Sequence, residues 1–191
     1  MTLRTRLYEA FASRPRPTAE ELVRSEDRRL RDMLGERAVG EVTVEDVRGA
    51  FEGNLWALTP EAVRYYLPAL MDLALHRYRE VSVFASELLG ALTEPSREDV
   101  VASLEAFEEL PPVELRDPVI ADALRRQQLE WFDSGEPTAL FHERFDGVTE
   151  EEGRAVLEFL VAFGEEHGGS FPFGEVDAAV ERYWGRFGSR S

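Results

Sequence analysis

Three histidines are the chain's only side chains whose ordinary pKa lies near neutrality, and two of them stand beside carboxylates: His142 before Glu143, and His167 after Glu165 and Glu166. Imidazole with carboxylate is a donor set for a metal site and for general acid–base work. His76, His142 and His167 lie too far apart in sequence to share one helix face, so such a site would have to be assembled across helices. A metal-dependent hydrolase built from His142, His167 and Asp/Glu is the chemistry that would follow. Each histidine also has a local explanation. His167 directly precedes Gly168-Gly169, where a helix should end and its negative pole favours an imidazole.

Other chemistries are closed off. There is no cysteine, and all 22 basic residues are arginine, so thiolate catalysis, thiolate zinc sites, Schiff bases and lysine-dependent phosphate loops are excluded. Neither GxGxxG, the P-loop, HExxH nor GxSxG occurs. No catalytic residue, metal or cofactor is therefore expected.

The carboxylates are more informative. Residues 80–181 hold 6 Arg against 25 Asp/Glu, whereas residues 1–79 hold 13 of each. A net charge of −16 repels nucleic acid and anionic membrane surfaces and favours a basic partner. Glu105, Glu108 and Glu109 fall at i, i+3 and i+4, one acidic stripe with no arginine close by in sequence. Glu150-Glu151-Glu152 needs only the positive end of a helix to account for it. Tyr183, Trp184 and Phe187 gather among Gly and Arg near the C-terminus: packed down they cap the bundle, exposed they make an aromatic/arginine patch of the kind interfaces favour. Glu105, Glu108, Glu109, Tyr183, Trp184 and Phe187 together form the candidate interaction surface.

Helices must position these residues. Thr18/Glu21, Thr43/Asp46, Ser96/Asp99 and Thr149/Glu152 have capping-box spacing, and Thr59-Pro60 and Asp117-Pro118 are further starts. Gly35, Glu94-Pro95, Pro111-Pro112, Gly135 and Gly168-Gly169 read as stops. Between them apolar residues recur at helical spacing: Leu104, Phe107 and Leu110; Ile120, Leu124 and Trp131; Val156, Phe159, Leu160 and Phe163. Residues 136–148 read as a short helix or irregular segment. The sequence predicts an all-α single domain over 1–191, a bundle of about seven to nine helices. No apolar run approaches the length of a membrane span, and the arginine-bearing start, with Leu3, Leu7, Ala10 and Phe11 on one face, reads as a core-docking helix rather than a signal peptide.

The segment Leu58 to Ala69, with Trp56 ahead of it, combines a helix start at Pro60, the pair Tyr65-Tyr66 and a second proline, Pro68. Pro68 removes an N–H and disfavours the α region for Leu67, which predicts a Pro-broken central helix. Trp56, Tyr65, Leu67, Leu70 and Leu73 are expected to wedge the core, with one tyrosine hydroxyl serving a carbonyl freed at the break. Leu58-Thr59-Pro60-Glu61-Ala62 followed by Tyr65-Tyr66-Leu67-Pro68-Ala69 resembles the signature of an uncharacterised bacterial family of small soluble proteins. Tyr8-Glu9-Ala10-Phe11 with Pro15 and Pro17, and Phe145 to Glu151 followed by Val156 to Leu160, resemble that family's opening and C-terminal helices. Gly153 departs from it by weakening the start of the last helix. The resemblance implies no activity and carries over no functional residue.

These observations favour a cytoplasmic protein that acts without catalysis, its acidic 80–181 surface meeting a basic protein. An inhibitor or immunity-type partner of a basic toxin or nuclease is one concrete form, and a purely structural or regulatory subunit is a third class.

Overall fold

The computed structural model describes residues 1–24, 28–35, 37–109 and 118–188, with the side chains of 107–109 and 118 outside that description. Three-quarters of the described residues (75%) are helical, and they contain no β-strand; a single antiparallel bridge among them joins Val23 to Leu58. The ten α-helices among the described residues are α1 (Leu3–Ala10), α2 (Arg28–Leu34), α3 (Val44–Asp46), α4 (Pro60–His76), α5 (Tyr78–Leu92), α6 (Arg97–Glu109), α7 (Pro118–Asp133), α8 (Glu136–Phe145), α9 (Glu150–His167) and α10 (Glu175–Arg182). The all-α expectation is thus met, with about ten helices in place of seven to nine. By packing, the chain divides into two compact units: 1–93 with 144–191, and 94–143.

In the first unit α4 is the central element. Thr59 caps it by accepting the Ala62 N–H, and Pro60 occupies the first turn, where its missing N–H costs nothing. It packs against α1, α5 and α9, and burial extends almost all round it. This corrects the expectation of a Pro-broken helix: α4 runs from Pro60 to His76 with Pro68 inside it. An interior proline costs about 3 kcal/mol. Tyr66, Leu67, Leu70 and Met71 are all buried around it, and each large apolar side chain contributes about 1.5–3 kcal/mol, so packing outweighs the lost hydrogen bond. The backbone departs from helical geometry further on, at Arg77 (φ −120°, ψ 26°) and at Val81 (φ −130°, ψ 29°) within α5.

The tyrosines do something other than serve a kink. Tyr66 is fully buried and its hydroxyl lies 3.0 Å from both the Leu34 and Arg37 carbonyls, so it closes the C-terminal end of α2. Burial pushes its phenol up to about 12. Tyr65, half-buried, accepts the Val39 N–H. Trp56 is 68% exposed, with its indole N–H donating to the Gly53 carbonyl, so it forms no part of the core wedge. The carbonyl lies three residues back, and satisfying the polar edge locally leaves the ring free to face water.

Of the capping boxes, Thr43/Asp46 and Thr149/Glu152 form as expected. Ser96 caps α6 through the Asp99 N–H. Thr18 and Glu21 exchange hydrogen bonds but start a turn rather than a helix. Asp117, Pro111 and Pro112 lie outside the described residues. Glu152 is more than a cap. It is fully buried and holds Arg14 through two contacts, Oε1 to Nε and Oε2 to Nη2. Burial alone would raise its pKa, but the Arg14 guanidinium and the Thr149 N–H outweigh it and hold the carboxyl below its ordinary value.

The C-terminal segment ties the first unit together. Trp184 is fully buried, donates its indole N–H to the Leu92 carbonyl at 2.7 Å and meets Phe145 edge-on. Phe187 lies over α9 at Gly153, where an added Cβ would stand 2.3 Å from its ring. That close approach explains a glycine in the first turn of a helix.

Candidate functional site

α9 and α10 pack against each other, joined by residues 168–174, and a groove of about 480 Å³ runs between them. Its apolar lining is Leu160 and Val161 from α9, Phe171 from the connection, and Val176 and Val180 from α10. Leu160, Phe171 and Val176 are buried; Val161 is half in water at 50%. Gly164 permits this packing, since a Cβ there would lie 3.2 Å from a Val176 methyl. Gly168 and Gly174 also line the groove, and a Cβ on either would meet nothing within 4 Å, so they leave its wall open. Gly174 has φ +75°, the left-handed turn that starts α10.

Three exposed carboxylates complete the lining: Glu165 from α9, and Asp177 and Glu181 one turn apart on α10. Among the described residues no arginine or histidine lines the groove. Arg154, Arg6 and Arg186 instead reach other carboxylates: Glu150, Glu158 and Asp146.

The expected interaction surface divides in two. Glu105 is exposed on α6, and the fold brings Arg125 of α7 to 3.9 Å from it, a neighbour the sequence spacing did not show. The side chains of Glu108 and Glu109 lie outside the described residues, though both close α6. The aromatic half is corrected: Tyr183 and Trp184 are interior, and Phe187 is half-buried against α9. Burying these rings removes far more apolar area from water than a surface position would. Arg186 lies 3.7 Å above the Tyr183 ring, and the Tyr183 hydroxyl bonds Asp146. Of the structural signature, Pro60, Tyr66 and Pro68 are buried, Tyr65 is half-buried and Trp56 is exposed.

The histidines have separate surroundings. His142 belongs to the 94–143 unit and pairs with Glu94 at 3.0 Å. His167 belongs to the other unit; its Nε2 lies 2.8 Å from the Leu75 carbonyl and its ring stacks on Tyr78. With a backbone carbonyl that near, Nε2 carries a proton and is no ligand or base. His76 meets Asp72 at 2.9 Å, while Arg4 approaches the same buried carboxylate at 3.2 Å. Asp72, with burial as the leading cause, also raises the neighbouring Tyr8 phenol. An Asp–His pair can orient an imidazole, but acyl or phosphoryl transfer needs a nucleophile or positioned water against it. Among the described residues no group of three His/Cys/Asp/Glu is placed to hold a metal ion.

The chain fits no protein-family model, and neither a curated protein nor a solved structure is similar to it. Among the described residues, no helix is long and apolar enough to cross a membrane.

The groove itself was missed by sequence reasoning. In the sequence Glu165 stands out only as a neighbour of His167. The available signal was the i, i+4 pair Asp177/Glu181 beside Val176 and Val180 on one short helix, facing a helix with glycine at 164.

Proposed function

We propose that this protein acts by binding rather than by catalysis, and that its partner is a basic protein recognised by the acidic residues of 80–181. One observation carries the reading. Of the described carboxylates in that stretch, Glu152 alone is buried, so the excess of negative charge is turned to solvent. Retaining that much unneutralised charge costs self-repulsion in the folded state, and its return is attraction of a cationic surface. An inhibitor-like or immunity-like role toward a basic protein fits this reading; so does regulatory docking.

The test is association kinetics with basic proteins of known charge, with acidic proteins as controls. On-rates to the basic set should fall steeply between roughly 0.01 and 0.15 M salt, as the Debye length shrinks from ~30 to ~8 Å. Changing Glu105, Glu108 and Glu109 together to Gln should slow association while leaving helicity unchanged. Binding indifferent to salt, or equal for acidic proteins, would end the proposal.

A further inference from the structure

The groove between α9 and α10 has a lining that selects its occupant. Its buried face of Leu160, Phe171 and Val176 rewards methylene or aromatic surface. Glu165, Asp177 and Glu181, also in its lining, would be partly dehydrated by anything that filled it. A neutral apolar occupant would take water from these carboxylates without replacing its hydrogen bonds, and an anion would be repelled. A bare metal ion finds no converging donor set among the described residues. An organic cation on an apolar stem satisfies both parts of the lining, its stem on the apolar face and its head among the carboxylates. The volume of about 480 Å³ lies within the usual range of binding clefts. Phe173 is not part of the lining, but it stands 90% exposed in the connection between Phe171 and Gly174, an aromatic ring of the kind a guanidinium stacks on.

We propose that the α9–α10 groove is the socket for an arginine side chain presented, with apolar neighbours, by a segment of a basic partner protein. This rests on the binding function proposed above and gives it a location. Arginine is favoured over lysine because its planar head carries five donors, enough to meet more than one carboxylate at once, and because it is less strongly hydrated.

The probe is an acetylated, amidated peptide alternating leucine and arginine. Its control is the same peptide with citrulline, which keeps arginine's shape without its charge. Binding is followed by amide chemical shifts of the full chain at low salt. The arginine peptide should shift Val161, Gly164, Gly168, Val176 and Val180, and the citrulline peptide should not. Changing Glu165 and Glu181 to Gln with Asp177→Asn should weaken binding at least about fivefold. Gly168→Leu is the steric counterpart. Its φ of −53° suits any residue and its Cβ meets nothing, so the fold should be retained while the added side chain obstructs the groove and removes those shifts.

Arginine-dependent binding that shifts residues of 94–143 and leaves the groove silent would overturn the socket but leave the acidic binding function standing. Loss on neutralisation with no effect of Gly168→Leu would do the same. Failure of the chain to bind the arginine peptide at low salt, together with salt-indifferent association in the protein panel, would remove both.

Discussion

The two units are written in the same helical alphabet and use it differently. In residues 1–93 with 144–191, apolar periodicity becomes burial: Leu7, Phe51, Tyr66, Phe84, Phe159, Phe163 and Trp184 are all below 5% exposed. In residues 94–143 the same spacing on α7 leaves Ile120, Leu124 and Trp131 at 58, 43 and 45% exposed, and among the described residues there burial is confined to Pro137 and Phe141 of α8. Charges follow suit. Arg14 reaches a carboxylate with no exposure at all, while Arg97 meets Asp133 with both side chains more than half in water. Periodicity announces a helix; whether its stripe is core depends on how many neighbours the fold supplies.

That contrast can be broken most directly at the largest buried ring. Trp184→Ala should cost about 3–5 kcal/mol in denaturant unfolding, because it opens a cavity and leaves the Leu92 carbonyl without its donor. Trp131→Ala on α7 should stay within about 0.5 kcal/mol, as a surface change does. Equal costs for the two tryptophans would erase the distinction between the units.

The ion pairs give the next largest difference. Arg14→Ala strands a buried Glu152 and should cost about 3 kcal/mol, the low end for such pairs because Arg14 keeps 23% of its side chain exposed. Arg97→Ala should leave the unfolding midpoint where it is. Tyr66→Phe should follow at about 1–3 kcal/mol, since it removes the buried hydroxyl that the Arg37 and Leu34 carbonyls share at the end of α2, the Leu34 carbonyl keeping only the Arg37 N–H.

Acidity sharpens the comparison further. The folded state holds the Glu152 carboxyl below its ordinary 4.5, so its contribution is complete above that pH and is lost as pH falls through the depressed value. Asp133 is also lowered, chiefly by its hydrogen bond from Arg97, but in water. Acid titration of stability should therefore lose steepness in Glu152→Gln and be insensitive to salt there, whereas any part due to Asp133 should vanish in salt. At the alkaline end the raised Tyr66 phenol predicts stability intact below pH 10 and falling toward about 12, a loss absent from Tyr66→Phe. The smallest effect is dynamic: amides of α6 and α7 should exchange with solvent sooner than those of α4 and α9, and parity would argue that the two units open together.

Much of the local structure was legible before any coordinates. The Thr149/Glu152 box, the Thr59-Pro60 start and the Gly35 stop are contracts between residues a few positions apart, written in side-chain chemistry that acts over one helical turn. The groove was not legible, because Glu165 and Asp177 become co-lining residues only when α9 and α10 turn toward each other. Gly153 looked like a flaw for the same reason: its purpose, room for Phe187, lies thirty-four residues away.

By itself, then, the sequence determined an all-α chain, the places where its helices begin, and the concentration of negative charge in its latter part. Each of these depends on near neighbours or on composition, which folding does not alter. Tertiary structure alone decided that α4 would pass through Pro68, that Trp56 would face water while Trp184 was enclosed, that Glu152 would bind Arg14 across the molecule, and that two helices and a glycine-lined connection would enclose an acidic apolar groove. Those outcomes turn on competition between distant groups for the same buried volume, where burial worth several kcal/mol overrides a local preference worth one to three.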